Sequence, residues 1–241
     1  MKRHVETSIY REIDAAVAYA RQARRAVAIS GPPGIGKSHA LTRIAEREQS
    51  VAYWSVPNAR SSLKAATSAI INAFGHYPDH EHTARLWEQL TRILQGTADS
   101  DAILVIDEAQ RLSLDILVDI VDFPERYAFP VVIAGNEDLL RRTRVKIGAF
   151  DQIASRCTKR VTLRKPLAED LNILAADFDV PKEDRAAAIA YGFNTSIREL
   201  VALLETARGL AGRAPVRLQQ LKEAAVFHRG SNGLSLLKSD A

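Results

Sequence analysis

Eight consecutive residues have the types and spacing to hold a phosphate chain. Gly31-Pro32-Pro33-Gly34-Ile35-Gly36-Lys37-Ser38 reads G-x-x-x-x-G-K-[ST] without exception. The glycines let the backbone bend until successive N–H groups point into one concavity, which suits phosphate oxygens. A helix opening near Lys37 would add the positive end of its dipole. Lys37 would reach the β- and γ-phosphates as a point charge, and the Ser38 hydroxyl would ligate Mg²⁺. His39, the next residue, is taken with the loop. The implied ligands are ATP and Mg²⁺.

A second constellation supplies acid–base chemistry. Ile103-Leu104-Val105-Ile106 is wholly apolar and ends in Asp107-Glu108. Two carboxylates at the end of a buried strand need partners, and Mg²⁺ with an attacking water would provide them. Asp107 would hold the metal shell, and Glu108 would polarise the water as general base. The plainer alternative makes Asp107 merely a cap for the helix that follows the strand. Asn136 follows another apolar run, Val131-Val132-Ile133-Ala134, and could orient the water or the γ-phosphate; alternatively it is a turn residue after Gly135. Guanine selectivity would call for Asn-Lys-x-Asp here. The chain reads Asn136-Glu137-Asp138-Leu139, which does not support a GTPase.

Such residues must be positioned by elements of the right period. Residues 8–25 place Ile9, Ile13, Ala16, Val17 and Ala20 at helical spacing. Ala26–Ile29 reads as a buried strand running into the loop, and residues 37–47 as the helix leaving it. Further strands are expected at 51–56, 103–106, 130–134 and 160–163. Helices are expected at 62–74, 84–95 and 113–123, and from Asp138. Short apolar strands alternating with helices predict an α/β class fold, a parallel sheet sandwiched by helices. After Lys165-Pro166 only helical segments appear, near 167–176, 182–191, 196–208 and 215–228. The expected organisation is a nucleotide-binding core over 1–165, a small all-helical lid over 166–229, and a mobile tail over 230–241.

Composition narrows the class further. The 241 residues are 46% apolar, enough for a sizeable core. The net charge of +4 permits an acidic partner without requiring one. One cysteine, Cys157, excludes an intrachain disulfide, fits a reducing, cytoplasmic setting, and is read as a packing residue. No apolar run approaches the ~20 residues that span a bilayer, so no membrane association is expected. His76, His80 and His82 fit no zinc spacing and read as a polar loop. Trp54 and Trp87 read as core residues rather than base-stacking platforms.

The phosphate loop, Asp107-Glu108, Asn136 and a following helical lid together resemble the AAA+ ATPases. Asp107-Glu108-Ala109-Gln110-Arg111-Leu112 and the short two-domain layout resemble the transposition-regulator branch, the target-selection ATPases of phages and transposons. The resemblance implies further roles. Arg156, in Gln152-Ile153-Ala154-Ser155-Arg156, corresponds to an arginine finger that reaches a neighbouring subunit's γ-phosphate, with Arg160 as the nearby substitute. Arg198, in Thr195-Ser196-Ile197-Arg198, corresponds to the lid arginine called sensor 2; alternatively it forms a helix-surface ion pair with Glu199 or another neighbour. Adenine is expected against Ser8-Ile9-Tyr10. About 25 residues precede the first core strand, so the extra N-terminal DNA-binding domain of that branch is expected to be absent.

What the motor acts on is read from charge. AAA+ proteins that thread polypeptides grip them with an aromatic residue after the second strand. Here that loop offers Arg60, Ser61 and Lys64 and no aromatic. Arg141, Arg142, Arg144 and Lys146 follow Asn136. Residues 137–165 hold nine basic and three acidic residues, a net +6 that exceeds the +4 of the whole chain. Both stretches suit phosphate contacts, which carry little sequence information. The expected partner is double-stranded DNA bound without sequence preference, by a homo-oligomer in a ring or helical filament that engages a transposase. A secretion-system motor, a helicase or clamp loader, and a nucleotide-gated DNA scaffold with incidental hydrolysis remain as alternatives.

Overall fold

The structure, a computed structural model, describes residues 5–58, 62–97, 100–141, 153 and 155–238, with the side chains of residues 140 and 141 left out. Two compact units are present. One comprises Glu12–Pro32 and Lys37–Leu163; the other comprises Met1–Arg11, Pro33–Gly36 and Arg164–Ala241.

The first unit is built on five strands: β1 Ala26–Ser30, β2 Val51–Ser55, β3 Ile103–Asp107, β4 Val131–Gly135 and β5 Cys157–Thr162. All pairings are parallel, in the order β2-β3-β4-β1-β5. Every residue of β1, β3 and β4 is buried, which explains their unbroken apolar runs. Helices α1 Ser8–Ala23, α2 Lys37–Arg47, α3 Leu63–Ala73, α4 Thr83–Gly96, α5 Leu114–Val121, α6 Phe123–Tyr127 and α7 Asp138–Arg141 complete the α/β part, with α1 beginning in the other unit. Ala26 and Ala28 of β1 share one core with Ile70, Leu86, Leu90, Ile116, Phe123 and Phe129. Val27 and Ile29 alternate to the opposite face of the strand. Trp54 and Trp87 pack against that core, Trp87 with its ring 6.0 Å from Phe123.

Several expected boundaries shift by up to three residues, and two of the differences have a local reason. The helix expected over 113–123 is two helices. Ser113 caps α5 by accepting from the Ile116 N–H, and Pro124 cannot donate into a continued α5 ladder, so α6 starts afresh at Phe123. The last strand begins at Cys157, three residues before the expected Arg160. β5 lies at the edge of the sheet, where Thr158, Lys159 and Arg160 are exposed, so it lacks the apolar run that marks a buried strand.

The second unit is helical beyond Arg164: α8 Ala168–Asp177, α9 Arg185–Asn194, α10 Ile197–Ala211 and α11 Leu218–Arg229. Leu171, Tyr191, Leu200, Leu204 and Leu221 are buried in it. Ser196 caps α10 by accepting from the Glu199 N–H at 3.2 Å. Asp170, 1% exposed, accepts from the Ser8 N–H, the Ser8 hydroxyl and the Leu167 N–H at 2.5, 2.6 and 2.9 Å, so the start of α1 is tied into this unit. Gly230–Leu237 forms a 3-10 helix where the sequence suggests a mobile tail. Leu237 is buried, and the Asn194 side-chain amide donates to the carbonyls of Leu236 and Lys238 at 3.2 Å.

Candidate functional site

Strand register puts the chemistry at one edge of the sheet. Ser30 at the end of β1 pairs with Gly135 at the end of β4, and Ile106 of β3 pairs with Ile133. The residues following β1, β3 and β4 therefore leave the sheet at its carboxyl end. Those residues are the loop from Gly31, then Glu108, then Asn136. In open parallel sheets this end is where ligands bind.

The loop has the shape that its glycines permit. Gly34 and Gly36 have φ of +78° and +100°, a backbone region that L-residues rarely enter. A Cβ on Gly34 would stand 2.9 Å from the Ser196 hydroxyl oxygen, so this position has no room for one. The Arg198 N–H donates to the Gly34 carbonyl at 3.0 Å, which fixes the loop tip to the start of α10. The Lys37 ammonium is buried and donates to the carbonyls of Gly31 and Pro32 at 2.9 and 2.7 Å. Ser38 and His39 are exposed in the first turn of α2. Glycines at positive φ, a lysine next in the chain and the helix that opens with it are the parts a polyphosphate site uses.

At the end of β3 each carboxylate has its own restraints. Asp107 is 1% exposed; its Oδ1 accepts from the Glu108 N–H at 2.8 Å and its Oδ2 from the Tyr53 hydroxyl at 3.3 Å. Burial, then the charge of Asp107, raise the Tyr53 phenol above its ordinary range against the lowering effect of Thr42, so Tyr53 stays protonated as a donor. The turn that follows, Ala109–Arg111, starts from Glu108 and carries no side-chain cap, so Asp107 does not cap it; a carboxylate with lone pairs beyond these two bonds could hold a hard cation. Glu108 sits in the left-handed region at φ 55°, ψ 31°. A non-glycine residue held there costs about 1–2 kcal/mol and is typical of functional turns. Its Oε2 accepts from the Gln110 side-chain amide at 2.7 Å and faces the Arg111 guanidinium at 3.1 Å. Arg111 is itself anchored on the Val56 carbonyl at 2.6 Å.

Asn136 is part of the turn after β4. Its Oδ1 accepts from the Asp138 N–H at 3.0 Å, capping α7, and its Nδ2 donates to Asp138 Oδ2 at 3.2 Å. Its backbone N–H donates to Gln110 Oε1 at 3.3 Å.

The two candidate arginines are placed differently. Arg156 is helical immediately before β5, and its Nε lies 2.8 Å from Oδ1 of the buried Asp122, which also pairs with Arg126. Arg198 has an exposed side chain in the first turn of α10, and Glu199 pairs with Arg229 rather than with it. Ile9 and Tyr10 are buried, at 4% and 6% exposure, in the same unit as Pro33–Gly36. Arg160 is exposed on β5.

Of the proposed DNA contacts, Lys64 is exposed near the start of α3, which Ser62 caps. Arg60, Ser61, Arg142, Arg144 and Lys146 lie outside the described residues, as does the side chain of Arg141. Burial pushes the Cys157 thiol up to about 12, so it is a packing residue and no nucleophile. Among the described residues, no helix is long and apolar enough to cross a membrane. Tyr53, Gln110 and Arg111 are members of the site that the motifs do not mark. The Glu108–Arg111 spacing, three residues apart in a tight turn, is the one local signal for any of them.

Comparison with known proteins follows the same geography. Residues 20–143 match the family described as AAA domain. The chain is 23% identical over 188 residues to the Mu-like prophage FluMu DNA transposition protein B of Haemophilus influenzae, across 77% of this chain and 64% of that protein. It is 24% identical over 186 residues to the ATP-dependent target DNA activator B of Escherichia phage Mu, across 75% of this chain and 58% of that one. The matches thus span about three fifths of each relative's length. Among solved structures, the Aeropyrum pernix ORC2 protein in its ADPNP–ADP complexes superposes with a TM-score of 0.67 at 17% identity, covering 93% of this chain and 70% of that one.

Proposed function

The chain belongs to the AAA domain family, and from that premise we propose that it is an ATPase that handles target DNA in transposition. ATP would lie on Gly31–Ser38, with Lys37 against its β- and γ-phosphates and adenine near Ile9 and Tyr10. Ser38 and Asp107 would hold Mg²⁺, which would supply charge neutralisation for the phosphate chain. Glu108 takes a proton from the attacking water, and the Asn136 amide orients that water or the γ-phosphate. Arg198 acts from the helical unit, and Arg156 on the γ-phosphate of a neighbouring subunit in a homo-oligomer.

The observation that carries this reading is the end of β3. A strained Glu108 is held by two donors next to a buried carboxylate, at the sheet edge where the phosphate loop also emerges. Strain of this kind persists where the surrounding structure over-determines it. A general base needs such fixing; a cap does not.

The DNA part rests on the relatives, which are named for transposition and target DNA, and on the +6 charge of residues 137–165. Arg60, Ser61, Lys64, Arg141, Arg142, Arg144 and Lys146 would contact phosphates of double-stranded DNA without reading bases. The assembly would be a filament on DNA that engages a transposase, with hydrolysis triggering its release.

The test is phosphate release with and without duplex DNA, for wild type and Glu108→Gln. Wild type is expected to turn over ATP faster on DNA. Glu108→Gln is expected to lose about 10²–10⁴-fold in turnover, the usual contribution of a general base, while still forming DNA complexes with ATP. Absence of hydrolysis in wild type under both conditions sinks the enzyme reading. DNA binding indifferent to salt between 50 and 200 mM, against the steep loss expected of phosphate contacts, sinks the backbone reading.

A further inference from the structure

Gln110 is 9% exposed, yet it lies in a tight turn rather than in the apolar core. Its amide is used at both ends. Nε2 donates to Glu108 Oε2 at 2.7 Å, and Oε1 accepts from the backbone N–H of Asn136 at 3.3 Å. One planar group therefore joins the carboxylate after β3 to the turn after β4. The neighbouring strand is shaped for it. A Cβ on Gly135 would stand 2.3 Å from Gln110 Oε1 and 3.2 Å from Leu139 Cβ. Gly135 is in regular β structure and has no positive φ, so backbone freedom does not explain its glycine. The space it leaves is occupied by the Gln110 amide.

We propose that Gln110 is a positioning residue that fixes the Glu108 carboxylate relative to Asn136, so that base and orienting amide move as one unit, and that Gly135 is glycine to admit it. The proposal rests on the hydrolytic reading above. The physical case is one of degrees of freedom. Glu108 has three rotatable side-chain bonds, and Arg111, anchored on β2's exit at Val56, restrains it from one side only. The Gln110 amide supplies the second restraint and ties it to the strand that carries Asn136. Misplacing a base by about 1 Å costs on the order of 10²-fold in rate, whereas ground-state binding of nucleotide by Lys37 and the loop is untouched.

The test uses the full chain, with ATP turnover on duplex DNA and nucleotide affinity measured by fluorescent ATP titration. Gln110→Ala is expected to lower kcat by about 10- to 100-fold, the range for a positioning group, with nucleotide affinity changed less than about twofold. Gly135→Ala, which drives a methyl into the Oε1 position, is expected to do the same with every polar group of the site intact. In a Glu108→Gln background, followed by single-turnover assay, Gln110→Ala is expected to add almost nothing, because a residue acting through Glu108 has nothing left to position. A purely structural Gln110 would lower the rate by the same factor in both backgrounds, and that result overturns the proposal. So does a Gln110→Ala protein with wild-type kcat, or one whose loss follows nucleotide affinity. Thermal melts of each variant show which of them is folded; if Gln110→Ala is not, Gly135→Ala decides. Absence of ATP hydrolysis in wild type overturns the hydrolytic reading and this proposal together, whereas normal wild-type turnover with an unaffected Gln110→Ala removes this proposal alone.

Discussion

Two parts of the molecule carry the charged side chains that a nucleotide site would use, and they are prepared in opposite ways. At the end of β3 every group is braced where it stands. Asp107 is held by Tyr53 and a backbone N–H, Glu108 by Gln110 and Arg111, and Glu108 accepts a strained backbone to be there. The arginines are not braced toward the phosphate loop. Arg156 is bound to the buried Asp122, and the Arg198 side chain is exposed while its backbone N–H bonds Gly34. Groups that act within one chain can be preorganised at folding. Groups that act only after a neighbour arrives must be stable somewhere else first. On this reading Asp122 is the resting partner of Arg156.

The largest expected effect tests that contrast directly. Arg156→Ala should lower turnover of the DNA-bound assembly by about 10³-fold, the scale of an arginine finger, while the isolated chain binds nucleotide as wild type does. Mixing Arg156→Ala with Lys37→Ala chains should restore part of the activity, since each mixed interface can combine an intact loop with an intact arginine. Arg126→Ala, which removes the other partner of Asp122, should leave turnover within about twofold. If Arg126→Ala and Arg156→Ala lose activity alike, Arg156 serves Asp122 and the fold, and the contrast collapses.

The braced region was the more legible of the two in the sequence, for a reason that particular residues make clear. Gly31–Ser38, Asp107-Glu108 and the turn at Asn136 are local. Their residue types and spacing are written contiguously, and the apolar runs before them announce buried parallel strands. The braces are not local. Gln110 meets Asn136 across 26 positions, and Tyr53 meets Asp107 across 54. Both contacts exist because β3 lies between β2 and β4, an order that periodicity does not encode. The Asp122–Arg156 pair is distant for the same reason. β5 was partly hidden because an exposed edge strand need not be apolar, and the 3-10 helix at Gly230–Leu237 because its glycines and serines carry the composition of a loop.

An intermediate effect separates two glycines that the motif treats alike. Gly36 needs only its φ of +100°, with open space where a Cβ would go. Gly34 needs φ of +78° and also abuts the Ser196 hydroxyl at 2.9 Å. An alanine pays about 1–2 kcal/mol for such a backbone, so Gly36→Ala should weaken nucleotide binding by about 5- to 30-fold if the strain is relieved by deforming the loop. Gly34→Ala should exceed that, because Ser196 or the α10 start must also shift. Nucleotide titration of the two variants gives the ratio. Equal losses would mean that the Ser196 contact yields freely and that the link from α10 to the loop tip is weaker than the Arg198 N–H bond suggests.

The smallest effect concerns the brace on Asp107. Tyr53→Phe keeps the ring and removes one hydroxyl, leaving Asp107 Oδ2 without its 3.3 Å donor while the Glu108 N–H still serves Oδ1. A hydrogen bond to a charged group contributes about 1.5–3 kcal/mol to stability; this one is long at 3.3 Å and bears on orientation rather than on the reacting atoms, so kcat should fall by only about 2- to 5-fold. The direction of a second readout tells more. The hydroxyl occupies a lone pair of the carboxylate proposed to hold the cation. Its removal should therefore leave the Mg²⁺ concentration for half-maximal turnover unchanged or lower it, even as kcat falls through looser orientation. A raised Mg²⁺ requirement would show that Tyr53 preorganises the metal-binding oxygen rather than the carboxylate's plane. An unchanged kcat would show that the Glu108 N–H alone fixes Asp107, and that bracing at this end of the sheet is concentrated on Glu108, the residue proposed to move a proton.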